Sequence, residues 1–232
     1  MNTLSSIKSI TYGKMGKKRG YDAIDPTNLF LYYPFDASTV NGNNVGNMAT
    51  GSIVYDASLT DTTVITNNKM STPSLFGTTN TNGTLIYKVI PCSSFTGLSF
   101  SFWFNVSSIP TSTYYFLTTI QDTLGYPSGN RIYITIDTAN RVNINGSITT
   151  SAITLNTNYH LVFTITSGNS GKLYLNNVLQ SAVVTYPSFV NSSGFNSIGR
   201  DPAGKGIIGT IDDYRLYTRI LTASEVNTLY YL

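Results

Sequence analysis

IGTIDDYRLYTRILTASEVNTLYYL, running from Ile208 to Leu232, is the stretch whose reading decides the fold. Side chains alternate across an extended chain, so Ile211, Asp213, Arg215 and Tyr217 are expected on one strand face and Asp212, Tyr214 and Leu216 on the other. The two adjacent carboxylates would then leave opposite faces. Thr222-Ala-Ser-Glu225 follows as a capping box: the Thr222 hydroxyl accepts from the Glu225 amide while the Glu225 carboxylate reaches back to the Thr222 amide. A short helix is predicted to start there. Leu221 before the cap and Val226 in the first turn are spaced as a hydrophobic staple, which sets the angle at which the helix leaves the strand.

Upstream, short apolar runs alternate with turn residues. Leu29–Phe35, Ser52–Tyr55, Thr84–Ile90, Leu98–Val106, Tyr114–Ile120, Arg131–Ile136, Arg141–Ile144, Tyr159–Thr166, Lys172–Leu175 and Val183–Tyr186 all read as strands. In LSFSFWFNV, Leu98, Phe100, Phe102, Phe104 and Val106 form an aromatic-rich row that predicts packing between sheets. Trp103 faces the other way, either as a platform for a sugar or packed under a covering segment. Pro34 places the first strand at an edge or a bulge. Asn145-Gly146 and Asn176-Asn177 predict tight hairpins, because type I′ turns need positive φ at both central residues. The chain has 232 residues, of which 41% are apolar and 11% charged, with 17 Tyr and 11 Phe. Such a composition suits pleated, half-buried strands, and one all-β domain accounts for a chain of this length.

The segment Gly209–Tyr217, with Arg219–Val226 and Leu229-Tyr230, resembles the closing signature of laminin G-like, or concanavalin A-like, jelly-roll domains. Tyr33-Pro-Phe-Asp36 followed by an Asn/Gly loop is similar to the opening of that family. Asn158-Tyr-His-Leu-Val-Phe163 and Gly171-Lys-Leu-Tyr-Leu-Asn-Asn-Val178 resemble a further pair of its strands, with Asn158 where Trp is usual and Asn177 where Gly is expected. The resemblance covers residues 29–232. It implies a two-sheet antiparallel jelly-roll sandwich with a short C-terminal helix, of a kind used mostly to bind glycans or proteins. It also implies a structural calcium ion near Asp36 and Asp212, whose oxygens suit that hard cation. The residues themselves leave a second reading open, in which Asp36 caps a turn and Asp212 bonds backbone or an arginine.

Residues 1–25 are expected to form an extended arm and residues 26–232 the sandwich. Lys8, Lys14, Lys17, Lys18 and Arg19 give the arm five of the 14 basic residues and none of the 11 acidic ones among its first 21 positions. A compact basic segment fits an acidic protein surface, nucleic acid or an anionic membrane, or else a solvated leader. The single cysteine, Cys92, excludes an intrachain disulfide and reads as a small buried hydrophobe. No apolar run is long enough for a membrane-spanning helix, and the first residues lack a signal peptide's apolar core, so synthesis in the cytoplasm is expected.

Catalysis finds few parts. Glycoside hydrolysis needs two carboxyl groups flanking the scissile bond, and Glu225, the one glutamate, is committed to a cap. His160, the one histidine, has no nucleophile or metal-ligand pattern beside it and reads as a strand histidine satisfied by its neighbours. The chain is therefore expected to be a non-catalytic recognition or assembly module, docked by its arm onto other protein subunits, with a minor capsid or virion-surface protein of a large DNA virus as the setting. Two alternatives stand beside it. One is a lectin-like carbohydrate-binding module, with Tyr126, Tyr186, Arg200 and Asp201 as loop contacts for glycan or protein; the other is a glycoside hydrolase.

Overall fold

A computed structural model describes residues 24, 27–35, 39–41, 44–49, 56–59, 66–67, 73–77, 86–90, 97–108, 114–121, 130–146, 148–166, 171–180, 194–200 and 205–232. The strands are β1 (Leu29–Tyr33), β2 (Val40–Asn41), β3 (Asn44–Val45), β4 (Ala57–Leu59), β5 (Thr66–Asn67), β6 (Pro73–Gly77), β7 (Ile86–Ile90), β8 (Gly97–Val106) and β9 (Tyr115–Gln121). After them come β10 (Arg131–Ile136), β11 (Arg141–Ile144), β12 (Ile148–Ala152), β13 (Asn158–Thr166), β14 (Gly171–Leu175), β15 (Val178–Gln180), β16 (Gly194–Ile198) and β17 (Gly209–Tyr217), then helix α1 (Ala223–Tyr231). The expected strands at 52–55 and 183–186 and the basic arm with Lys8, Lys14, Lys17, Lys18 and Arg19 lie outside the described residues.

The strands form two antiparallel sheets. Sheet A has the order β15-β14-β13-β8-β17-β6-β5, with β1 also on β17; sheet B has the order β12-β11-β10-β9-β16-β7-β4-β3-β2. Among the described residues, seven of the fifteen strand pairings join strands that are not consecutive in sequence, so the order follows from which faces must be buried, not from hairpins alone. As expected, Leu98, Phe100, Phe102, Phe104 and Val106 point inward, joined by Leu161, Phe163, Ile165, Leu173 and Leu175 from the same sheet. Sheet B answers with Ile120, Ile132, Ile134, Ile136, Val142, Ile144 and Ile198. Each such side chain contributes roughly 1.5–3 kcal/mol by leaving water.

One polar node ties the sheets together. Asn196 of β16 donates through Nδ2 to the Tyr214 hydroxyl of β17 at 3.0 Å and to Thr118 Oγ1 of β9 at 3.2 Å. A buried network in which each partner is satisfied fixes the relative placement of its elements.

The alternation expected for β17 breaks at its carboxylates. Its register on β8 shifts between Asp212 and Arg215, so that Asp213 and Tyr214 together oppose Phe102. Asp213 has φ 53°, the left-handed conformation that lets a strand bulge. Asp212, Arg215 and Tyr217 therefore share the outer face, while Ile211, Tyr214 and Leu216 enter the core. A strict period of two cannot register an inserted residue.

Both expected hairpin turns are present: Asn145 and Gly146 have φ 50° and 71°, and Asn176 and Asn177 have 49° and 63°. The capping box forms in full, with Thr222 Oγ1 accepting from Glu225 N at 3.2 Å and Glu225 Oε2 accepting from Thr222 N at 2.8 Å. Helix α1 lies on the outer face of sheet A, where Leu221, Val226 and Leu229 join Leu29, Tyr32, Val162, Tyr174 and Tyr217 in a second apolar cluster. Sheet B receives no helix among the described residues.

Candidate functional site

The outer face of sheet A carries most of the reactive side chains, and they are tied to one another. Trp103 stacks on Tyr230 of α1, ring centroids 5.7 Å apart and planes 19° apart, and lies 5.0 Å from the His160 ring. A covering helix, not a sugar, occupies the tryptophan. His160 is buried, with Nε2 3.0 Å from Ser101 Oγ. Burial, reinforced by the charge on Arg215, pushes its pKa down to about 3, so the ring is neutral. Arg215 donates to the Asp213 carboxylate at 2.6 Å and to the Tyr32 hydroxyl at 3.3 Å, with its guanidinium over the Tyr32 ring. Burial, the largest influence, works against that charge, but the Asp213 carboxylate together with Tyr32 and Tyr217 outweighs it and raises the pKa.

Asp212 lies opposite Trp103, and its Oδ1 accepts from the Asp213 amide at 2.9 Å. Asp36, the other carboxylate of the calcium expectation, is outside the described residues. Among the described residues no three carboxylates, histidines or cysteines come together to hold an ion. Of the loop contacts, Tyr126, Tyr186 and Asp201 are likewise outside the described residues. Arg200 is half-buried at the end of β16, where it bridges to Gly206, which in turn bridges to Phe116.

The outer face of sheet B is built differently. With Ile132, Ile134 and Ile136 committed to the core, Arg131, Tyr133 and Thr135 point outward by alternation. Cross-strand pairing then lays out rows: Arg131 beside Gln121 beside Phe195, and Tyr133 beside Thr119 beside Ser197. Thr119 and Ser197 are each only 2% exposed, and neither Thr119 Oγ1 nor Ser197 Oγ has a hydrogen-bond partner. Two hydroxyls buried without partners cost free energy. The Arg131 guanidinium carbon lies 4.7 Å from the Tyr133 ring centroid. Asn145 braces this strand: its Oδ1 accepts from Tyr133 N at 2.9 Å and its Nδ2 donates to the Arg131 carbonyl at 3.3 Å.

The sequence reading assigned no role to Arg131, Tyr133, Thr119 or Ser197. The alternation of polar residues with isoleucines in β10 was a visible signal. The neighbourhood of Thr119 and Ser197 was not, because it depends on β9 pairing with a strand nearly eighty positions away.

The model of the concanavalin A-like lectin/glucanases superfamily, in its laminin G form, matches residues 76–227. The chain belongs to this superfamily. A search of curated proteins returns no match. Among solved structures, this superfamily member is similar to Trypanosoma rangeli sialidase, at TM-score 0.65 and 15% identity over 88% of this chain and 32% of that one. It thus spans about a third of the sialidase's length. Domain 4 of AbnA, an extracellular arabinanase from Geobacillus stearothermophilus solved with arabinotriose, aligns at TM-score 0.63 and 17% identity, over 87% of this chain and 98% of that domain. The binding domain of botulinum neurotoxin serotype D/C aligns at TM-score 0.63 and 13% identity, over 89% of this chain and 52% of that one.

These relatives correct the expectation of an assembly component in a capsid or virion. That reading came from the basic arm and from an Asn-, Thr- and Tyr-rich composition, neither of which specifies a partner. The family matched is named for lectins and glucanases, and the structures it resembles are a sialidase, an arabinanase domain and a toxin binding domain, none of them a capsid or virion protein.

Proposed function

We propose that this protein is a non-catalytic carbohydrate-binding module. The observation that carries the reading is membership of a superfamily named for lectins and glucanases, together with a match in fold over 98% of its length to an arabinanase domain solved with arabinotriose.

The described carboxylates support the non-catalytic reading. Glu225 caps α1 and pairs with Arg219, Asp137 pairs with Arg141, Asp213 pairs with Arg215, Asp212 accepts from a backbone amide, and Asp56 accepts from Asn47 N. A glycosidase holds two carboxyl groups roughly 5 to 9.5 Å apart around its substrate. The test is a glycan array followed by calorimetry on the best ligand. At least one saccharide should bind, with no hydrolysis of the bound glycan. An array without hits removes this reading, and hydrolysis by the purified protein removes the non-catalytic part.

A further inference from the structure

Helix α1 covers only part of the outer face of sheet A. Leu221, just before it, donates its amide to Ser99 Oγ of β8 at 3.0 Å. Tyr230, near its end, stacks on Trp103, further along the same strand, and lies 6.0 Å from the His160 ring beside it. The helix thus runs along β8 and ends over the Trp103–His160 pair. The next outward-facing pair, Asn105 of β8 with Asn158 of β13, lies about 7 Å further along the strands, beyond the last turn of the helix. Thr210 of β17 flanks Asn105 on its other side. Asn105, Asn158 and Thr210 are all partly exposed, so solvent reaches the row.

The two amides are joined by one hydrogen bond, from Asn105 Nδ2 to Asn158 Oδ1 at 2.7 Å. Whichever way the pair is turned, that bond leaves one amide oxygen to accept and one amide nitrogen to donate. An acceptor and a donor held side by side complement two neighbouring hydroxyls, each of which gives and takes a hydrogen bond, and the Thr210 hydroxyl does both. The row holds no Lys, Arg, Asp or Glu, so an acidic ligand finds no opposite charge on it. Tyr231 supplies an apolar surface nearby. It is 75% exposed and meets Tyr230 almost perpendicularly, ring centroids 5.0 Å apart at 74°, a contact that leaves a face of the Tyr231 ring bare. An aromatic face beside a few fixed polar groups suits a sugar, whose C–H face lies on the ring while its hydroxyls meet the amides.

We propose that the shelf beyond the end of α1 takes a short neutral oligosaccharide, which spans from the Tyr231 ring to the hydrogen-bonding row of Asn105, Asn158 and Thr210. This inference rests on the carbohydrate-binding reading above. Arabinotriose, cellotriose and lactose, with trigalacturonate and 3′-sialyllactose as acids, are titrated into the full chain by calorimetry. Trp103, the only tryptophan, adjoins both Tyr230 and the Asn105–Asn158 pair, so its emission reports binding at this place in the unmutated protein. At least one neutral saccharide should bind and change that emission. Tyr231→Ala, which removes a ring already in water, should weaken binding about tenfold, and Asn158→Ala by a similar factor. Tyr114→Ala, which removes an exposed ring just before β9 in the other sheet, should leave binding unchanged. Binding that leaves the Trp103 emission unaltered and survives both Tyr231→Ala and Asn158→Ala overturns the inference while keeping the module, as does binding of the acids alone. Failure of every saccharide removes both.

Discussion

Tyr230, near the end of α1, stacks on Trp103 of β8 at 5.7 Å, and through this contact the C-terminal helix is clamped to the outer face of sheet A. Trp103 is the only tryptophan in the chain, so its emission reports directly on that clamp. Tyr230→Ala should shift the emission to the red and cost about 1–3 kcal/mol in a urea titration, from lost stacking and lost apolar burial. Emission and midpoint both unchanged would mean that the helix is held elsewhere, for instance by the Asn177–Asn227 bond at 2.6 Å.

His160 beneath the helix gives the protein an acid-side dependence. Its folded pKa, about 3, lies below the ordinary value of 6.5 because the ring is buried, with the Arg215 charge adding to the effect. Ser101, Trp103 and Tyr230 also face the ring. Its contribution to stability is fully present above pH 6.5. It is lost as the pH falls toward 3, because the unfolded chain takes up a proton that the folded chain refuses. One such group contributes a slope of at most about 1.4 kcal/mol per pH unit. Urea titrations at several values between pH 7 and pH 4 should show a shallower decline for His160→Gln than for the unmutated protein. Parallel curves would show that His160 takes up its proton without unfolding.

Much of this architecture was legible in local patterns. Alternation gave β8, β10 and β11 closely, the capping box placed α1, and Asn-Gly and Asn-Asn marked their turns, because each signal depends on neighbours in sequence. The β17 bulge escaped because Asp213 takes a left-handed φ that no periodicity announces. The buried hydroxyls of sheet B escaped for a different reason. Thr119 and Ser197 are ordinary strand residues until sheet order sets them side by side, and the loop residues singled out instead were chosen for exposure, not for pairing.

The two hydroxyls make an unusual stability prediction. Thr119→Val replaces a buried, unpartnered hydroxyl with a methyl group of similar shape, relieving a desolvation cost of about 1–3 kcal/mol. The variant should melt higher than the unmutated protein. A lower melting temperature would show that the hydroxyl is satisfied, by water or otherwise.

Gly209 tests the pairing on which the sandwich depends. It opens β17 directly opposite Val106 of β8, and a Cβ built there would lie 1.9 Å from the Asn105 carbonyl oxygen and 3.0 Å from Val106 Cα, both backbone atoms that cannot swing aside. Gly146 serves as the control: its φ of 71° also favours glycine, but the nearest atom to a new Cβ is the Tyr133 hydroxyl at 3.9 Å. Gly146→Ala should therefore cost only the conformational penalty of about 1–2 kcal/mol. Gly209→Ala must also push β8 and β17 apart at the centre of sheet A, and should cost about 3 kcal/mol or more. Chemical denaturation of the two variants in parallel decides the matter. If Gly209→Ala is the milder change, the two strands do not approach as closely as their register implies, and the bulge that turns Asp212 and Arg215 to one face would have to be redrawn.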